Sequence, residues 1–177
     1  APRQRRVWDS ARIPPASPAP GYAGEWGLHQ PASQSLTQLP VPSNPPPLEN
    51  NTAGRRFHEI SQQLNVKISS SGIENGVCHV FLKHTSASLL VTENADPDVR
   101  RDLEHFMSQL VPDGDPSYLH SMEGPDDMPA HIRSVLTCSE VTIPIRQGRL
   151  GLGTWQGIYL WEHRHRPHRR QIDLTIF

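Results

Sequence analysis

The sequence holds only 2 cysteines in 177 residues, Cys78 and Cys138, too few for a disulfide framework and too far apart for a Cys-x-x-Cys metal knuckle. Structural thiols in a reducing, cytoplasmic compartment are the expectation. No apolar run approaches the ~20 residues that a membrane-spanning helix needs, so no membrane is expected as a partner. Basic and acidic residues nearly cancel, 17 against 18. The densest basic run, Arg164 to Arg170, is interrupted by histidines, and nucleic acid is not an expected partner. A glycine-rich phosphate loop of the GxxxxGK type is missing as well.

Proline is abundant but confined. Of the 18 prolines, 11 fall in the first 47 residues, a tract with little apolar periodicity. Residues 1–54 therefore read as a disordered extension. Arg3, Arg5, Arg6 and Arg12, with several serines and few acids, give it a faint likeness to an organelle-targeting peptide, although the proline density spoils an amphipathic helix. Residues 55–177 remain, roughly 120 positions, enough for one compact domain with a modest core.

Punctuation within that domain predicts three helices between strand-rich ends. Ser61 is placed to cap a first helix with Leu64 and Ile68 on one face and Gly72 as its stop, though Leu64, Val66 and Ile68 also alternate as a strand would. Val77 to Leu82 reads as a strand covered on both faces. Asp96-Pro97-Asp98 is a strong helix start, followed by Val99, Leu103, Phe106 and Leu110 at helical spacing. A third helix is expected from near Asp127, with Met128, Ile132 and Val135 as its apolar side. The remainder is β, and the pattern as a whole implies an α+β fold: β-sandwich-like antiparallel sheets with two or three packed helices.

Chemistry concentrates in three segments. Tyr118 to His131, YLHSMEGPDDMPAH, sets two histidines around three acids, a glycine and two prolines. Burying those charges unpaired would cost several kcal/mol, so they are solvated, paired or holding a cation. The others are HTSAS at His84 to Ser88 and GTWQGIYLWEHR at Gly153 to Arg164.

HTSASLLVTENADPDVRRDLEHF, YLHSMEGPDDMPAHIRSVL and LGLGTWQGIYLWEHR closely resemble the YjbQ-like family, also described as secondary thiamine-phosphate synthases. The resemblance spans about Arg56 to Phe177 and departs locally at Thr137-Cys138-Ser139-Glu140, where relatives carry Gly-Ser-Ser. It implies a YjbQ-like α+β fold, assembly as a homotrimer, and the joining of a pyrimidine methyl diphosphate to a thiazole phosphate with loss of diphosphate.

With that resemblance in hand, residues can be given roles. His84, His120 and His131 form the expected ligand triad for a divalent metal, zinc ahead of magnesium, with an open fourth position. Pro125 and Pro129 prevent His120 and His131 from sharing one helix, so a loop and a helix start must bring them together. Glu93 and Glu123 are candidate general bases, whereas Asp96, Asp126 and Asp127 are explained as helix caps. Arg164 is the candidate phosphate clamp, with Thr85, Ser86 and Ser88 supplying hydroxyls, and Trp155 and Gln156 lining a ring-binding wall. HTSAS lacks the glycine-flanked elbow of a serine nucleophile. Two other functions fit the same residues: a metal-assisted hydrolase of a small phosphorylated molecule, and a trimeric scaffold with a structural metal.

Overall fold

The computed structural model describes residues 42–177; residues 1–41 of the proline-rich extension, and with them the targeting-like arginines, lie outside the described residues, whereas residues 42–54, expected to be disordered, are described and include a strand. Among the described residues, eight strands and three helices follow in the order β1 (Leu48–Asn51), β2 (Arg56–Glu59), α1 (Ser61–Ser71), β3 (Asn75–Leu82), β4 (Ala87–Glu93), α2 (Pro97–Leu110), α3 (Asp127–Leu136), β5 (Glu140–Arg146), β6 (Arg149–Leu150), β7 (Gln156–Glu162) and β8 (Arg169–Ile176). Regular pairing starts before Arg55: β1 runs antiparallel to β8, and Ser43 bridges Ile176.

All these strand pairs are antiparallel and fall into two sheets, β1-β8-β3-β5-β6 and β2-β7-β4. Their facing sides share one core. Cys78, Val80 and Leu82 of β3, Ile172, Leu174 and Ile176 of β8, and Ala87, Leu89, Ile158 and Leu160 of β4 and β7 all belong to it. At about 1.5–3 kcal/mol for each fully buried large aliphatic side chain, this layer dominates the gain on folding. α1 adds Leu64 and Ile68 to the same core and stops at Gly72, whose φ of 73° is the left-handed conformation that glycine adopts freely.

The outer face of the three-stranded sheet is covered by α2. Met107, Val111 and Trp161 form a second apolar cluster there, with Phe57, Leu90, Leu103 and Ile132 packed against it. β7 is therefore buried on both sides: Ile158 and Leu160 point into the sandwich, while Tyr159 and Trp161 point toward α2.

Four details differ from the sequence expectation. Ser61 is the first helical residue rather than the cap of α1, and its hydroxyl accepts the Ile158 N–H at 2.9 Å, fastening the helix to β7. β3 is covered on one face only, because Phe81 sits at the surface, 40% exposed. α2 starts as expected, with Asp96 accepting the Asp98 N–H at 2.8 Å, but its buried stripe is Leu103–Met107–Val111, leaving Phe106 and Leu110 exposed. α3 turns Asp127, Ala130 and Arg133 inward and leaves Val135 84% exposed. In α3 charge pairing, not apolar periodicity, decides which face is buried.

Candidate metal centre

α3 begins with a carboxylate and carries a histidine one turn later. Asp127 and His131 are i and i+4, so both project from the same side of the helix. His120 reaches the same point from the preceding loop, as the intervening prolines require. Its Nε2 lies 2.7 Å from Asp127 Oδ2, and His131 Nε2 lies 3.4 Å from the same oxygen. The two imidazole rings are 5.4 Å apart between centroids, and one donor atom from each of the three residues lies within 4.8 Å of the others.

The protonation of His131 follows from its other contact. Nδ1 is 3.0 Å from the Thr85 backbone oxygen, which can only accept, so Nδ1 carries the proton. In the neutral ring Nε2 is then a lone pair facing a carboxylate oxygen. A lone pair and a carboxylate oxygen 3.4 Å apart are two donor atoms of the kind a cation takes.

Arg164 holds the acidic side in place. Its Nη1 donates to Asp127 Oδ1, its Nε to Asp126 Oδ2 at 3.2 Å, and its Nη2 to the Glu123 carbonyl at 2.8 Å. Asp126 also accepts the His165 N–H at 2.8 Å. Burial pushes the Asp126 carboxyl upward, but the His165 N–H and the Arg164 guanidinium outweigh it and hold the group below the usual aspartate range. Neither aspartate spends its side chain on capping: α3 has no side-chain cap hydrogen bond.

A buried polar layer supports these contacts from below. Glu162 is fully buried, accepts from Arg170 at 2.6 and 2.8 Å, from Thr52 at 2.9 Å, and from the Arg164 N–H at 2.9 Å. Its own burial is the largest influence and works upward, yet these donors hold it below the ordinary glutamate value. His163, also fully buried, shares a 2.9 Å hydrogen bond with Ser88, and burial followed by the nearby Arg133 charge pushes it down to about 3. Arg133 itself has no exposed surface and bonds Glu104 at 2.7 Å, whose second oxygen takes the Trp161 indole N–H at 2.7 Å.

The fold thus gathers some sequence-selected residues and disperses others. His120, His131, Thr85 and Glu123 surround the cluster, with the Glu123 side chain exposed. His84 lines the pocket beside His131, together with Lys83 and Ser134, but its Nε2 accepts the Gln171 N–H at 2.8 Å. The third donor of the cluster is Asp127 instead. Burial, followed by the Arg170 charge, lowers the His84 pKa. Arg164, expected as a phosphate clamp, instead bonds Asp126, Asp127 and the Glu123 carbonyl, one through each nitrogen, and serves to position them. Ser86 accepts from Arg170, and Ser88 is buried against His163, while Thr85 meets the site through its backbone carbonyl. Glu93, Trp155 and Gln156 stand at the far end of the β4–β7 pair, where Glu93 is the register partner of Gln156. Glu162, beside the site, is six residues further along β7, about 20 Å of extended strand. There Gln156 closes its own turn by accepting the Gly153 N–H at 2.8 Å, and Trp155 is 67% exposed.

Asp127 was the residue sequence reasoning missed. Its signal was present as an aspartate four positions before His131, masked by the adequacy of helix capping as an explanation.

A profile described as UPF0047 protein YjbQ-like matches residues 48–177. The chain belongs to this YjbQ-like family. It is 55% identical over 125 residues to a UPF0047 protein of Synechocystis, covering 71% of this chain and 85% of that protein. The UPF0047 protein YjbQ of Salmonella typhimurium is 47% identical over 123 residues, covering 69% and 88%. Among solved structures, a yjbq/upf0047 protein from Clostridium acetobutylicum aligns with a TM-score of 0.68 at 35% identity, covering 74% of this chain and 98% of that one. A conserved hypothetical protein from Thermus thermophilus aligns equally well, with a TM-score of 0.68 at 31% identity and the same coverage. The match begins with β1, and no helix among the described residues is long and apolar enough to cross a membrane.

Proposed function

We propose that His120, Asp127 and His131 hold a divalent metal ion at the centre of a site that turns over a small phosphorylated molecule. The donor set fits such an ion. Two imidazoles and one carboxylate suit zinc or another borderline transition metal, whereas magnesium prefers oxygen alone and keeps most of its waters. Zinc is the first choice, as the sequence suggested, with Asp127 in place of His84.

The observation that carries an enzymatic reading over a structural one is exposure. The side chains of His120 and His131 are 48% and 33% exposed, while Asp127 is 3% exposed. A structural zinc site is closed by four protein ligands; three ligands on an accessible rim leave room for a water or substrate oxygen. The metal would supply Lewis acidity toward a phosphate oxygen. Thr85 fixes the His131 tautomer through its carbonyl, Arg164 fixes the Asp127 carboxylate, and a cleft of about 430 Å³ beside His120, bordered by Tyr118, Ser121 and Gly124, gives the substrate its place.

The reaction implied by the family resemblance is thiamine phosphate formation: the thiazole nitrogen forms a bond to the pyrimidine methyl carbon as that carbon's bond to diphosphate oxygen breaks and diphosphate leaves. A second reading, hydrolysis of a phosphate ester, is favoured by one observation. Each of the three Arg164 nitrogens already has a partner in Asp126, Asp127 or the Glu123 carbonyl, so it offers no pair of unengaged nitrogens to a departing diphosphate.

Both are tested on zinc-reconstituted and chelated protein, by following thiamine phosphate from its two precursors and phosphate release from a panel of small phosphate esters. Metal-dependent turnover of either kind, lost in His131→Ala with the fold retained, supports the site. Equal rates in reconstituted and chelated protein, or none, would sink it.

A further inference from the structure

A second cleft, of about 710 Å³, opens between β2 and α2, and four arginines line it: Arg55, Arg56, Arg100 and Arg101, together with Phe57 and Glu104. Their pairing separates them into two kinds. Arg55 is bound at both ends of its fork by Asp113, at 2.7 and 2.8 Å, and Arg101 is paired with Asp98. Among the described residues, Arg56 makes only a long 3.4 Å contact to the Ala53 carbonyl. Arg100 uses one nitrogen, Nη1, on the Glu93 carbonyl at 3.0 Å and the Tyr159 hydroxyl at 3.3 Å, with its guanidinium 5.3 Å from the Tyr159 ring centroid. Neither belongs to an ion pair with a carboxylate among the described residues. Glu104, the carboxylate in the lining, is paired with the buried Arg133 through one oxygen and accepts the Trp161 indole N–H on the other.

Phe57 also lines this cleft. One face of its ring stacks on Trp161, centroids 4.4 Å apart at 23°, and Tyr159 meets it edge-on at 6.2 Å. The ring is half-buried and part of the cleft wall. Guanidinium forks recognise phosphate oxygens in pairs, and an aromatic wall takes a flat ring through offset stacking. A purely solvated arginine face would lack both the concavity and the ring.

We propose that this cleft binds a small aryl or heteroaryl phosphate, with Arg56 and Arg100 on the phosphate and Phe57 against the ring. The site is separate from His120, Asp127 and His131, and the inference does not rest on the metal reading.

Calorimetric titration of the full, chelated chain with phenylphosphonate, which has no ester bond to hydrolyse, tests it, with inorganic phosphate as the ring-free comparison. The expected result is saturable binding of one phenylphosphonate per chain, tighter than inorganic phosphate, weakened at least tenfold in Arg56→Gln and in Arg100→Gln, and unchanged in His120→Ala. Arg56 is exposed, so Arg56→Gln decides the matter should Arg100→Gln fail to fold. No saturable binding to the wild type, equal binding by the Arg56→Gln protein, or loss in His120→Ala alone overturns the proposal. So does a change of particle mass in Arg56→Gln with no phenylphosphonate binding by the wild type, which would make the cleft a contact between copies.

Discussion

Asp127 and His120 meet at 2.7 Å although they lie seven positions apart with a glycine and a proline between them, and the same aspartate oxygen faces His131 at 3.4 Å. One carboxylate shared by two imidazoles is the organising contact of the site, and everything around it serves to hold that carboxylate. Its other oxygen is pinned by Arg164, and its position at the start of α3 places negative charge where the helix dipole favours it.

Removing the pin has two consequences. Arg164→Ala leaves Asp126 and Asp127 buried without their countercharge, which is expected to cost on the order of 3–5 kcal/mol of stability. Metal affinity falls roughly 10–100-fold as Asp127 loses its orientation. Urea midpoints and a zinc titration on the folded variant check the two effects, and an unchanged zinc affinity would show that Asp127 needs no such support.

Arg133 is the fully buried cation of α3, and Glu104 is its carboxylate partner at 2.7 Å. Glu104→Gln strands that charge and also loosens the Trp161 indole, so a loss of about 3–5 kcal/mol is expected. Thermal unfolding reads it directly. A shift equivalent to less than about 1 kcal/mol would mean that Arg133 finds compensation elsewhere.

His163 makes the fold acid-sensitive above the range where carboxylates matter. A free histidine titrates near 6.5, whereas in the fold burial and Arg133 push it down to about 3. The unfolded chain therefore takes up the proton first. Stability is complete above about pH 6.5 and falls by about 1.4 kcal/mol per pH unit as pH drops from there toward about 3. His58 and His84, lowered chiefly by burial, act in the same direction. Glu162 and Asp126 are held below their ordinary values, so their contribution is lost only in more acidic solution. Urea midpoints between about pH 7 and pH 4.5 should fall more steeply for the wild type than for His163→Gln; parallel curves would contradict this assignment.

Trp155 is 67% exposed at the far end of β7. Trp155→Ala is expected to change stability by no more than about 0.5 kcal/mol. Zinc affinity should also stay unchanged. A variant that folds normally yet loses metal would show that Trp155 of a neighbouring copy reaches the site, which the trimer implied by the family resemblance would allow.

Much of the fold was legible because it rests on local signals. Asp96-Pro97-Asp98 started α2 and Gly72 ended α1 as their backbone preferences dictate. The inward faces of α2 and α3 were misread for a common reason. Phe106, Leu110 and Val135 are apolar at helical spacing, but α2 turns its neighbouring stripe to Trp161, and α3 is oriented by Asp127 and Arg133, whose partners Arg164 and Glu104 are distant in sequence. The site divided along the same line. His120 and His131 share one segment and converge, while Glu93, Trp155 and Gln156 belong to a strand pair whose two ends are about 20 Å apart. Asp127 escaped because a helix cap explained it sufficiently, and only the geometry shows its side chain turned to the histidines and Arg164 instead.

Metal content tests the His120, Asp127 and His131 centre most directly. Zinc per chain, measured by elemental analysis after reconstitution and removal of excess metal, should be close to one for the wild type and near zero for His120→Ala and Asp127→Asn, both retaining wild-type far-ultraviolet circular dichroism. Zinc absent from the wild type, or retained by both folded variants, would contradict the metal centre.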